Sequence, residues 1–143
     1  MAEGAFRSAA AQADLDCEID SAGTASYHLG EAPDPRAIAT AKANAVDIRE
    51  AKGRQLESED FERFSHIFAL DTANLAGIRA RQPKGARAKV ALLLDAVPGR
   101  VGEPVADPYY GGEDDFDAVW QDVALAAQHL AERLKEDGVS AQF

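Results

Sequence analysis

The hexapeptide Asp107-Pro108-Tyr109-Tyr110-Gly111-Gly112 joins an acid, two aromatic rings and a stiff turn, a combination able to carry out proton transfer. An aspartate stiffened by the following proline, on a loop beside an aromatic wall, suits a general acid. The same residues also read as a plain turn, in which Asp-Pro initiates, the glycines terminate and the tyrosines cover apolar surface. Local chemistry leaves both readings open. Cys17 is the single cysteine, and its flanks Asp16 and Glu18 are acidic. A reactive thiolate needs positive charge or helix-start N–H groups, so Cys17 reads as a small core residue. One cysteine makes neither an internal disulfide nor a thiolate zinc site. His28, His66 and His129 are scattered without ligand spacing. Glu113, Asp114, Asp115 and Asp117 lack the alternating ligands and glycine of a calcium loop and read as a solvated helix start. No metal or cofactor is called for.

The totals set the frame for these residues. A chain of 143 residues, 46% hydrophobic and 28% charged, matches one globular domain. No run of about 18 apolar residues occurs, which argues against a membrane span. Met1-Ala2-Glu3-Gly4 carries an acid where a signal peptide carries positive charge, so the expected location is cytoplasmic. The net charge of −10 disfavours nucleic acid and anionic membrane as partners. A small anionic substrate remains compatible, because backbone N–H groups hold phosphate in acidic proteins too.

The elements that must position these side chains alternate between helix and strand. Ala2, Ala5, Phe6, Ala9 and Ala10 fall on one helical face over 2–12. Residues 17–20 form a short strand candidate, closed by Ser21-Ala22-Gly23-Thr24. Asp34-Pro35 reads as a helix start with the acid capping and proline at the first position, the helix running to about Ala45. A second start lies at Ser58, with Glu59 and Asp60 in the first turn and Phe61 and Phe64 facing inward. Strand candidates follow at 67–70 and 90–94, with a helix over 72–81 between them, stopped by Pro83. A loop with Pro98, Gly99, Gly102, Pro104 and Pro108 leads to the clearest element. There Phe116, Val119, Trp120, Val123, Ala127, Leu130 and Leu134 make an apolar stripe, and Gly138 stops the helix. The pattern predicts an α/β fold with a parallel sheet. It is asymmetric, since the chain opens on a helix and offers three strand candidates, whereas a doubly wound unit feeds each helix from a preceding strand.

Four stretches resemble the low-molecular-weight protein tyrosine phosphatases. Met1-Ala2-Glu3-Gly4-Ala5-Phe6 resembles the first helix just after that family's phosphate loop. Asp20-Ser21-Ala22-Gly23-Thr24, then Tyr27-His28-Leu29-Gly30 and Pro33-Asp34-Pro35-Arg36, resembles the segment after the second strand. Phe68-Ala69-Leu70-Asp71-Thr72-Ala73-Asn74-Leu75 resembles the middle strand and helix start, and Asp107-Pro108-Tyr109-Tyr110-Gly111 with Phe116 resembles the general-acid loop and last helix. The resemblance implies a small doubly wound, three-layer α/β domain with a four-stranded parallel sheet, and phosphomonoester hydrolysis through a cysteinyl-phosphate. The implied substrate is a phosphotyrosine protein or a small aryl phosphate. It also implies Asp107 as the general acid, Tyr27 and Tyr109 as rings flanking the substrate, Tyr110 as continuing that loop, and Ser21 as a support of the phosphate loop.

The family's nucleophile and phosphate-binding arginine share one loop, Cys-x-x-x-x-x-Arg, between the first strand and first helix, where amides and the helix start cradle the dianion. That motif does not occur among these 143 residues, and Arg7 lies beyond the first helical turn. The residues as written are therefore expected not to catalyse. Either Met1 is internal to a longer protein, with the strand and loop upstream, or the chain is a shortened relative. Without the central first strand the expectation is two exposed strand edges and an uncovered core. Two alternatives accompany the phosphatase reading: a non-catalytic pseudophosphatase or interaction module, and an arsenate reductase, which a single cysteine disfavours.

Overall fold

A computed structural model of the chain describes residues 1–15, 18–23, 34–50, 54–106, 112–137 and 141–142. Helix α1 spans Ala2–Gln12 and buries Ala2, Gly4, Ala5, Phe6 and Ala10, the face marked by the alanine and phenylalanine spacing. Strand β1 is Ile19–Asp20. Cys17, the proposed start of this strand, lies outside the described residues. Helix α2 spans Pro35–Ala43, with Asp34 as N-cap accepting from the Arg36 N–H and proline at the first position. It ends before Ala45 because that residue takes a left-handed φ of 63°.

Helix α3 is the short turn Asp60–Arg63, two residues later than the expected start at Ser58. Phe61 and Phe64 do point inward, at 0% and 1% exposure. Strand β2, His66–Ala69, is followed by α4, Thr72–Arg81, capped by the Asp71 carboxylate accepting from the Asn74 N–H at 2.7 Å. Strand β3 is Lys89–Leu92, and the apolar run expected to continue as strand instead tightens into a 3-10 turn at Leu93–Ala96. Leu93 and Leu94 are buried at 1% and 0% exposure, so the run is apolar because it turns within the core. Helix α5 is Glu113–Asp137, and every residue of the expected stripe is buried. Its start is capped by the Asp115 carboxylate, which accepts the Gly112 N–H at 3.0 Å, while Asp114 and Asp117 lie exposed.

A fourth strand, β4 at Ala141–Gln142, joins the three that the sequence pattern predicts. The sheet is parallel throughout, in the order β1-β4-β2-β3. The expectation of two bare strand edges is thereby corrected: β4 lies between β1 and β2 and pairs with both. Two clusters cover the sheet. On one face Phe6, Trp120, Leu130 and Leu134 join α1 to α5, with Phe68 from β2. On the other, Ile67, Ala69 and Leu92 pack with Leu56, Phe61 and Ile78. Adjacent residues of β2 thus enter opposite clusters, as strand alternation requires, and the domain is three-layered.

Candidate active site

Ligands of doubly wound sheets bind beyond the carboxyl ends of the strands, where the strand order reverses. In this sheet β4 returns to the position between β1 and β2, and a cleft of about 180 Å³ opens at the carboxyl ends of β1 and β2. Ser21 and Ala22 wall it beyond β1, Phe68 to Leu70 at the end of β2, and Met1 to Glu3 at the start of α1. The first N–H groups of a helix lack intrahelical acceptors and carry the positive end of its dipole, and the Glu3 carboxylate shares this wall. Ile67, Leu56 and Ile78 make the floor apolar, which suits an aromatic group.

A chain of polar contacts fixes the cleft's edges. Ser21 Oγ donates to Glu3 Oε1 at 2.7 Å, and Arg7 Nε donates to Glu3 Oε2 at 3.2 Å. Arg7 Nη2 also donates to the Ile19 carbonyl at 2.6 Å, tying α1 to β1. Asp20 accepts the Ser21 N–H at 2.8 Å and Arg54 Nε at 3.0 Å. Arg54 then reaches both oxygens of Asp60, at 3.0 and 2.9 Å, and Asp60 Oδ2 accepts the Glu57 N–H at 2.8 Å. The Asp60 side chain is 4% exposed, so the fork of Arg54 compensates a carboxylate taken out of water. Hydrogen bonding to Asp60, followed by the charge of Asp20, raises the Arg54 guanidinium above its usual value. Neither Glu3 nor the Arg54–Asp60 pair was singled out as part of a site in the sequence. The available signal was the acid at Asp60 beside two inward phenylalanines, since a carboxylate flanked by core residues needs a partner.

Of the predicted site residues, Ser21 is on the cleft wall with its hydroxyl on Glu3. Asp107, Tyr27, Tyr109 and Tyr110 lie outside the described residues, as does His28. The roots of their loops are described. Val105 donates its N–H to the Leu70 carbonyl at 2.7 Å, so the segment leading to Asp107 departs from the cleft rim. Arg100 holds the preceding loop to α5 through Asp122 at 2.7 Å. Gly23 pairs with Gln55 in a parallel bridge, which anchors the segment that leads to Tyr27. Among the described residues no group of three or more potential ligands is placed to hold a metal ion.

Fold and cleft together define an α/β protein with a parallel sheet and a cleft at the carboxyl ends of its strands. The model of the family described as low molecular weight phosphotyrosine protein phosphatase matches residues 1–140. The low molecular weight phosphotyrosine protein phosphatase of Schizosaccharomyces pombe is 41% identical over 119 residues, covering 81% of this chain and 76% of that protein. The human protein of the same name is 30% identical, covering 93% and 85%. A crystal structure of the protein tyrosine phosphatase from Entamoeba histolytica superposes with a TM-score of 0.88 at 31% identity, covering 96% of this chain and 89% of that one. The chain belongs to the low molecular weight phosphotyrosine protein phosphatase family.

Proposed function

We propose that this chain serves the hydrolysis of phosphotyrosine-type aryl phosphate monoesters through a cysteinyl-phosphate intermediate, without metal or cofactor. Family membership over residues 1–140 carries the reading, and the cleft at the start of α1 supports it. Asp107 protonates the departing phenolate, whose parent phenol has a pKa of about 10, and later takes a proton from the attacking water. Tyr27 and Tyr109 flank the substrate ring, Tyr110 extends that wall, and Ser21 supports the phosphate loop from the cleft edge. The nucleophile is not Cys17, whose neighbours Asp16 and Glu18 oppose a thiolate. Because no Cys-x-x-x-x-x-Arg occurs among the 143 residues, these residues alone hold the acid and the ring pocket but do not turn over.

Two proteins test this: the 143 residues as they stand, and the same residues with a strand and a Cys-x-x-x-x-x-Arg loop fused ahead of Ala2. Only the second should hydrolyse p-nitrophenyl phosphate, with no loss of rate in EDTA. Turnover by the first that disappears in Cys17→Ser would overturn the assignment of Cys17 and of the missing nucleophile. A second reading, a non-catalytic module that keeps the cleft, is favoured by one observation. β4 occupies the sheet position between β1 and β2, so the sheet closes with no strand ahead of α1. A folded, monodisperse 143-residue protein together with a loop-bearing protein that fails to hydrolyse p-nitrophenyl phosphate would favour that module.

A further inference from the structure

The corner between α4 and β3 gathers positive charge. Residues 79–89 hold Arg79, Arg81, Lys84, Arg87 and Lys89, five of the 15 basic residues in a chain whose net charge is −10. No acid occurs between Asp71 and Asp95. All five residues are exposed. Among the described residues, Arg79, Lys84, Arg87 and Lys89 enter no ion pair. The end of α4 accounts for Arg79 and Arg81 through the helix dipole, and the sheet edge accounts for Lys89, which blunts it. Neither accounts for Lys84 and Arg87, or for the missing acids. Like charges set this closely repel one another unless an anion joins them. The corner is also held in place. Ala88 and Lys89 donate their N–H groups to the Phe61 and Ser65 carbonyls at 3.3 and 2.8 Å, and Ala86 donates to the Pro83 carbonyl at 3.1 Å. Ala88 is buried, and Gly85 turns the chain at a φ of 80°.

We propose that this corner is a docking surface for a carboxylate-rich segment of a protein partner. Charge complementarity selects an anion, and what the corner lacks narrows the kind. Residues 79–89 contain no aromatic ring on which a base could stack. Among the described residues the exposed large hydrophobics are Leu70, Val101 and Leu125, so none stands in the corner to enter a bilayer. The overall charge of −10 repels an extended polyanion. A short acidic segment meets chiefly the local field, because screening confines charge to about 8 Å at physiological salt. The guanidinium groups of Arg79, Arg81 and Arg87 suit paired N–H bonds to carboxylates, and the fixed backbone spares the cost of ordering a loop. Lys89 opens β3 at the amino end of the parallel sheet, whereas the cleft lies at the carboxyl ends, so a docked segment leaves the cleft free. The inference rests on charge and exposure, and it stands or falls independently of the phosphatase reading.

The test titrates the isotope-labelled 143-residue protein with a probe peptide, acetyl-Glu-Asp-Glu-Glu-Asp-Gly-amide, followed by NMR. A control peptide replaces each acid by its amide. Saturable binding of the acidic probe alone is expected, with amide shifts confined to residues 79–89 and an affinity that falls as salt rises. Lys84→Glu combined with Arg87→Glu should weaken the probe about tenfold or more. Lys42→Glu combined with Arg49→Glu makes the same change in net charge at another exposed site and should weaken it by about twofold at most. Shifts spread over other surfaces, or no saturable binding, overturn the proposal even if the corner variant fails to fold. Equal weakening by the two pairs assigns binding to the field of the whole molecule and also overturns it. Tighter binding of oligothymidine or of phosphatidylserine vesicles than of the peptide overturns it in favour of nucleic acid or membrane.

Discussion

At Asp34 one carboxylate caps α2 and binds Arg36 through both the side chain and the backbone N–H, at 2.9 and 2.8 Å. The Arg36 side-chain bond first, then its backbone bond, holds the Asp34 carboxyl below its ordinary value of 3.8. A depressed folded pKa means that the cap's contribution is complete above about 3.9, the value of an unfolded aspartate, and is lost as pH falls through the folded value. NMR titration should place the Asp34 midpoint below that of an unfolded peptide. In Asp34→Asn, which still caps through its carbonyl oxygen, α2 should lose this acid sensitivity. An Asp34 midpoint at or above the peptide value would sink the argument. At Asp107 the expected effect is on rate. In the loop-bearing protein Asp107→Asn should lower kcat by about 10²–10³ on aryl phosphates with poor leaving groups, and much less on activated ones. A loss independent of leaving-group pKa would remove Asp107 from the acid role. The role of Asp107 is implied by the resemblance of Asp107-Pro108-Tyr109-Tyr110-Gly111 to the family's general-acid loop, because local chemistry alone leaves a plain turn equally open. Glu3 carries no such signal, because its relation to Ser21 spans 18 positions of sequence.

Among the elements, α1 offers a decisive case at Gly4. An added Cβ there would lie 2.5 Å from Ile48 Cγ2 and 3.1 Å from Val46 Cγ1. In an open helix Gly→Ala gains up to about 1 kcal/mol of propensity. Here overpacking against a β-branched side chain that is 7% exposed should outweigh it. Gly4→Ala is expected to destabilise by about 1–2 kcal/mol net, read from the denaturant midpoint. Combined with Ile48→Ala it should cost less than the two changes summed. Additive losses would mean that α1 shifts away instead of clashing. The helices were the legible elements because their signals are local: the alanine-phenylalanine face of α1, the Asp34-Pro35 start of α2 and the stripe of α5. The apolar pattern carries the expected strand past Leu92 because Leu93 and Leu94 are as apolar in a buried turn as in a strand. Only their surroundings separate the two.

For the molecule as a whole, the unequal ladders predict unequal stability. The four-residue β2–β3 pairing is flanked by both clusters, whereas β1 and β4 share only two paired positions. Hydrogen exchange should therefore be slowest at Ile67 to Ala69 and Val90 to Leu92, and markedly faster at Ile19, Asp20, Ala141 and Gln142. Uniform protection across the sheet would show that β4 is as firmly held as β3. The sequence by itself determined the alternation of helix and strand, the capped helix starts, the apolar faces and the motifs that carry family membership. These depend on neighbours a few positions apart. The placement of Ala141 and Gln142 between β1 and β2, the burial of Asp60 under Arg54 and the cleft at the start of α1 were decided only by the tertiary structure. Strand pairing joins residues more than a hundred positions apart, as in Ile19 with Ala141. A two-residue Ala-Gln segment has no propensity of its own that would announce it.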